Sequence, residues 1–265
     1  MAHRTHDTAT ALAGAMQSNQ PRSPLPAAAG LLYAWTGVGL MWGAWIAFVV
    51  FLASPLPWGR AWPLPMVDGG AWFATPLWLS GLIDLALVVL FGAQHSVMAR
   101  AWFKQRVLAG LPPAFERATY VYAATAALLA LIVLWQPIPV EVWSFPDSPF
   151  AVPVWVLFAT GWVVLLLGAW SYGIGDLLGP SQMRAWAQQR EHRPALKTGR
   201  LYRWLRHPMY VGVLLGVWAT PRMTLGHLLL ALGLTAYLLI GMRYEERDLA
   251  ARFGSRYRAW RTARM

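Results

Sequence analysis

The chain has 265 residues, 57% of them hydrophobic and only 12% charged, with a mean hydropathy of +0.42. A soluble domain carries roughly a quarter charged residues, so that class is excluded. The formal net charge is +11 and there is no cysteine, which removes disulfides, thiolate metal sites and a covalent cysteine intermediate.

Residues 1–29 are polar and rich in Ala and Pro, with no apolar stretch of the kind a secretory signal needs before Ala27. They read as a disordered cytoplasmic tail ahead of a single domain over 30–265. Leu31 to Trp58 then contains no ionisable side chain except Tyr33, and Phe73–Met98 carries only Asp84 and His95. Val152–Ile174 has no acid, base or histidine at all. Each run is long enough to cross a hydrocarbon core of about 30 Å at 1.5 Å per residue, which predicts spans near 30–53, 73–98, 118–136 and 152–174. Tryptophans at segment ends (Trp58, Trp62, Trp72, Trp135, Trp143) suit the membrane interface. Asp84 lies deep in its span, where an acid is costly; a functional role and a protonated or hydrogen-bonded structural role both fit it.

The last apolar region is built differently. Met209–Ala219 has 11 residues, about 16 Å of helix, too short to cross alone. Thr220-Pro221-Arg222 interrupts it, and Leu225–Met242 supplies a nearly full span. Basic residues flank both ends, so the pair is expected to form a helical hairpin. The fold class is therefore an all-α polytopic membrane protein of five to six transmembrane helices.

The basic residues carry the orientation. Of 22 Lys and Arg, 20 fall on one side of the alternation and only Arg60 and Arg222 on the other. Positive loops stay inside, so both termini and the 175–207 segment are expected in the cytoplasm, as for a bacterial-type inner membrane. The charge is then topological, with anionic lipid headgroups as neighbours and no call for nucleic acid.

That alternation collects three polar sets at one membrane level: Gln94-His95 with Arg100; Asp176 with Gln182; and Tyr202, Arg203, Arg206, His207 and Tyr210 with the "RYEERDL" run at 243–249. Singly, each has an ordinary explanation. Arg206-His207-Pro208 could anchor a membrane edge, and Glu245-Glu246-Arg247-Asp248 could be a solvated helix face. Jointly they suit S-adenosylmethionine. Arg206 and His207 can bind its carboxylate, and Glu245 or Glu246 can accept from its ammonium or ribose hydroxyls. Tyr210 offers a ring to the sulfonium, and Gly212 allows close backbone approach.

"RHPMYVG" (206–212), Glu245-Glu246 and "FGSRY" (253–257) together resemble the C-terminal cofactor site of the membrane methyltransferases related to isoprenylcysteine carboxyl methyltransferase and phospholipid N-methyltransferase. "LFGAQHSVMARAWFK" (90–104), "ERATYV" (116–121), "LWQPIP" (134–139), "DLLGPSQM" (176–183) and "WATPRMTLGHLLLALGLTAYLLIG" (218–241) extend the likeness, over roughly 30–260, to the methanethiol S-methyltransferases near the NnrU-like proteins. The resemblance implies a cytoplasmic cofactor site within 176–260. Arg206, His207, Pro208, Tyr210, Gly212, Glu245 and Glu246 would bind S-adenosylmethionine there, without a metal. It further implies methylation of a small thiol at sulfur. Because the thiolate is the nucleophile, the site must take a proton or stabilise an anion. His95 is the candidate base, Arg243 and Arg206 candidates for lowering the thiol pKa, and Gln182 a further polar contact. A lipid amine or prenylcysteine carboxylate as acceptor, and a non-catalytic NnrU-like protein that binds no donor, are the alternatives.

Overall fold

The computed structural model describes residues 24–54, 63–70, 72–193 and 195–262. Most of the expected N-terminal tail, together with Trp58, Arg60 and Trp62, lies outside them. The first helix, α1 (Pro24–Leu52), starts six residues earlier than the expected tail boundary allows. The helices α2 (Leu77–Met98), α3 (Ala101–Arg106) and α4 (Pro113–Leu134) follow. After strand β1 (Glu141–Ser144) come α5 (Ala151–Tyr172), α6 (Ile174–Leu178) and α7 (Pro180–Ala187). A 3-10 turn over Arg200–Arg203 leads to α8 (Pro208–Trp218), β2 (Arg222–Thr224) and α9 (Leu225–Thr262).

Among the described residues five helices, α1, α2, α4, α5 and α9, are long and apolar enough to cross a membrane, and α8 is a sixth, shorter apolar helix. The chain is an integral membrane protein. Leu82, Leu85, Val89 and Leu90 of α2 are each about half exposed, as lipid-facing positions should be. Lipid tails are as apolar as these side chains, so close packing holds the helices together here rather than escape from water. Phe51, Leu52, Leu131, Ile132, Trp135 and Leu230 form the fully buried centre. Trp135 is thus a core residue and not an interfacial one; its Nε1 donates to Val67 O at 3.2 Å under the loop that follows α1. Trp72, by contrast, is 56% exposed, in keeping with an interfacial ring.

The hairpin is present, but its short arm rests mainly on α5. A Cβ added to Gly212 would stand 2.6 Å from Gly161 O, and one added to Gly161 would stand 2.6 Å from Gly216 N. The two backbones touch, which Gly212 and Gly216 on α8 and Gly161 on α5 permit because none has a side chain there. Gly212 therefore serves helix packing rather than approach to a ligand. Pro208, also expected at the ligand, instead packs against α5 opposite Gly168. The two arms join where β2 pairs antiparallel with β1, Trp143 opposite Met223, and where Arg222 Nε lies 3.0 Å from Glu141 Oε1. At the other end, α9 breaks at Gly254, whose φ of 52° and ψ of −124° suit a residue with no Cβ. The break folds the last turns back, bringing Tyr257 and Arg261 to the hairpin's open end.

Candidate active site

A cavity of about 520 Å³ opens among α1, α2, α4, α8 and α9, within the range that holds small-molecule ligands. Its mouth is polar and its depth apolar. Arg206, His207, Glu245, Asp248 and Arg252 line the mouth, and Trp45, Phe48, Leu131 and Leu234 line the far end. The segment at Ala195–Lys197 covers part of the mouth. Lys197 Nζ is fastened to Asp176 Oδ2 at 2.7 Å, and His192 Nε2 lies 3.2 Å from Asp176 Oδ1. Burial opposes ionisation of Asp176, but Lys197, Ser181 and His192 outweigh it and hold the acid below the usual carboxylate range.

His207 is the hub of the mouth. It caps the start of α8, where Pro208 occupies the first turn without losing a hydrogen bond. Its Nε2 lies 2.9 Å from Glu246 Oε1 and its Nδ1 3.5 Å from Glu245 Oε2, two carboxylates that the hairpin returns from nearly forty residues away. Burial works against the charged imidazole, but Glu245 and Glu246 prevail and raise its pKa. The Tyr210 ring stacks on it at 5.4 Å and 9°. Glu246 is not itself at the cavity surface. It stands behind His207, also 3.9 Å from Arg261 Nη1, so it acts through His207.

Deeper in, His95 sits in an aromatic box, its ring 5.5 Å from Phe91, 5.0 Å from Tyr120 and 5.9 Å from Tyr237. Its Nδ1 is buried and has no hydrogen-bond partner among the described residues. The His95 ring itself lines the cavity. Arg100, Arg117, Lys197, Arg206 and Arg252 outnumber Glu245 and Asp248 in the lining, so the chamber favours anions.

Comparison with known proteins supplies the family. The phospholipid methyltransferase family profile matches residues 154–256, the stretch that builds the mouth. Methanethiol S-methyltransferase of Mycobacterium tuberculosis is 39% identical over 71% of this chain and 78% of that protein. Those of Pseudomonas deceptionensis (42%; 72% of this chain, 73% of the relative) and Crocosphaera subtropica (38%; 68% and 71%) are similar at the same level. The chain belongs to the methanethiol S-methyltransferase family. No solved structure matches it significantly.

Of the residues expected at this family's site, the structure brings His95, Arg206, His207, Tyr210 and Glu245 to one cavity. It does not bring Gln182 or Arg243. Gln182 Nε2 donates to Asp176 O at 3.0 Å, turned back on its own loop, because the α6–α7 corner tucks it under Asp176. Arg243 is exposed, since it stands two residues before Glu245 and so points to the opposite side of α9. Tyr120, Tyr237, Lys197 and Arg117 line the site without having been singled out. For Tyr237 one signal was present in the sequence: it precedes Glu245 by eight residues, a little over two helical turns on nearly the same face.

Proposed function

We propose that this membrane methyltransferase transfers the methyl group of S-adenosylmethionine to the sulfur of a small thiol, methanethiol foremost, giving dimethyl sulfide. The observation that carries this is one continuous cavity with an ionic mouth at His207–Glu245 and an aromatic, cation-rich interior at His95. Arg206 and His207 suit the donor's carboxylate, Glu245 its ammonium or ribose hydroxyls, and Tyr210 a flat face beside them. The donor supplies an electrophilic methyl on a sulfonium.

The protein's own part is placement and charge. His95 lines the cavity, able to receive the thiol proton, while the surplus of arginine and lysine stabilises the thiolate left behind. The apolar far end excludes water and holds an uncharged alkyl group; alignment of the reacting atoms there contributes much of the rate. The alternative acceptors, a lipid amine or a prenylcysteine carboxylate, gain no support from the curated relatives, which are named for methanethiol.

The site faces the cytoplasm, on the 20-to-2 split of basic residues, in a bacterial-type inner membrane with anionic headgroups around the basic loops. Oriented membrane vesicles test both parts together. Inverted vesicles given S-adenosylmethionine and methanethiol should release dimethyl sulfide to the headspace, and right-side-out vesicles should do so only once permeabilised. Activity confined to intact right-side-out vesicles would reverse the orientation. No thiol methylation in either, with methylation of added lipid, would overturn the acceptor.

A further inference from the structure

The chemistry leaves one proton to dispose of. The thiol S–H bond breaks with its electron pair staying on sulfur, and that sulfur forms a bond to the methyl carbon. The carbon's old bond breaks toward the donor sulfur, and the products are two thioethers and one proton. His95 can take this proton but stands deep in the cavity, walled by rings, and must be discharged before the next turnover. The distance from His95 to the aqueous mouth needs a path.

Along α9, Tyr237, Gly241 and Glu245 recur every four residues, about 6 Å apart on nearly one face. The Tyr237 ring meets His95 edge-on at 5.9 Å and 86°. Tyr210 reaches across from α8 so that its hydroxyl lies 3.8 Å from where a Cβ would stand on Gly241, between the other two. Glu245 lines the cavity beside Tyr210, and the carboxylate, Tyr120 and Tyr237 are all near enough to influence the hydroxyl electrostatically. Glu245 is 38% exposed at the mouth and 3.5 Å from His207 Nδ1. Arg117 stands over the Tyr120 ring at 4.9 Å, and Arg206 lines the mouth beside Glu245, so fixed positive charge flanks the line at both ends.

We propose that Tyr237 and Tyr210 form a hydroxyl relay that carries the acceptor's proton from His95 to Glu245 and out through the mouth. The inference rests on the S-methylation reading above. Neither phenol needs to ionise. Each hydroxyl receives a proton on its oxygen and passes on its own, so the charge moves while the chain stays neutral. Tyr237 is then a positioning and relay residue, not a donor-binding one.

The test compares two acceptors in Tyr237→Phe, which keeps the ring and deletes only the hydroxyl. With methanethiol, turnover should fall toward the lower end of the roughly 10²–10⁴-fold that positioned proton transfer contributes. With a strongly acidic thiol such as a fluorinated alkanethiol, already ionised in the medium, the loss should shrink to less than about two-fold, because no proton has to leave. Calorimetric affinity for S-adenosylmethionine should be unchanged, which a merely misfolded site would not allow. Tyr210→Phe should show the same dependence on thiol acidity, whatever it does to donor affinity. Equal losses on both thiols, or full methanethiol turnover in Tyr237→Phe, would overturn the relay. Wild-type protein inert toward both thiols would instead bring down the S-methylation reading, and the relay with it.

Discussion

At the end of the bundle remote from the cavity, Asp68 accepts hydrogen bonds from Thr224 Oγ1 at 2.6 Å and from Ser54 Oγ. His227, 1% exposed, has Nδ1 3.9 Å from the same carboxylate and Nε2 2.9 Å from Val217 O. Near that level Asp84 Oδ1 receives the Gln136 amide at 2.8 Å. At the cavity end, Glu245 and His207 also pair, but both keep a face on the cavity, and His95 lines it with them. One knot of histidine and acid is buried away from the cavity and joins the loop after α1 to the head of α9. The other leaves its polar atoms to a visitor. Residue type does not separate a structural knot from a working one, and neither does an unpartnered atom, since Asp84 Oδ2 and His227 Nδ1 lack hydrogen-bond partners among the described residues too; access to the cavity does.

The largest effect expected from breaking that contrast is on stability. Burial resists ionisation of Asp68, yet His227, Ser54 and Thr224 hold its pKa below the ordinary carboxylate value. A depressed acid stabilises above its unfolded pKa, and its contribution is lost only as pH falls through the lower folded value. The knot should therefore stay intact throughout the physiological range. Asp68→Ala should destabilise the detergent-solubilised protein on the order of 3–5 kcal/mol, the scale for opening a buried pair. Donor affinity of the fraction still folded should match wild type. A variant of unchanged stability but weakened donor binding would erase the distinction between the two ends.

How much of this was readable beforehand follows the same line. The cavity mouth was legible because its residues are charged, clustered and set at the margins of apolar runs, and because the hairpin dictates that residues 206–207 and 245–246 meet. Which of Glu245 and Glu246 faces the cavity was not, since neighbours on a helix point about 100° apart and both reach His207. Gln182 had the right level and the wrong direction. Tyr237 carried only its spacing from Glu245, since one more aromatic on an apolar helix is otherwise ordinary. Asp68 was hidden because it sits in a proline-rich connection whose partner, Thr224, is 156 residues away. Trp135 misled because an indole at a span's end suits the interface until a loop covers it.

At the mouth the expected effects are smaller and of another kind. Losing a charge-assisted contact costs about 1.5–3 kcal/mol, so His207→Ala should weaken S-adenosylmethionine binding ten-fold or more. Glu246→Gln, acting only through His207, should do less. The pH response has a definite sign. His207 has a raised pKa, so the interactions of its charged form are fully present below the ordinary histidine value of 6.5 and are lost as pH climbs through the higher folded value. Donor affinity should then decline on the alkaline side in wild type and not in His207→Ala. A wild-type affinity that is flat across that range would take the imidazolium out of donor binding.

The smallest effect sharpens the contrast most, because it sets two arginines of like appearance against each other. Arg206 and Arg243 both flank the apolar hairpin, one at the open end of each arm, and either could lower a thiol pKa. Only Arg206 lines the cavity; Arg243 points away, exposed. A charge on a wet surface is screened, and its removal usually shifts free energy by no more than about 0.5 kcal/mol, roughly two-fold. Arg243→Ala should therefore leave thiol turnover and donor affinity within that two-fold band. Arg206→Ala should lower donor affinity beyond it, since the lost cation faces an enclosed space where water does not replace it. Steady-state kinetics and calorimetry on the two variants, prepared in the same detergent, decide the matter. A larger loss from Arg243→Ala than from Arg206→Ala would mean that the working face of α9 is not the one carrying Tyr237, Gly241 and Glu245.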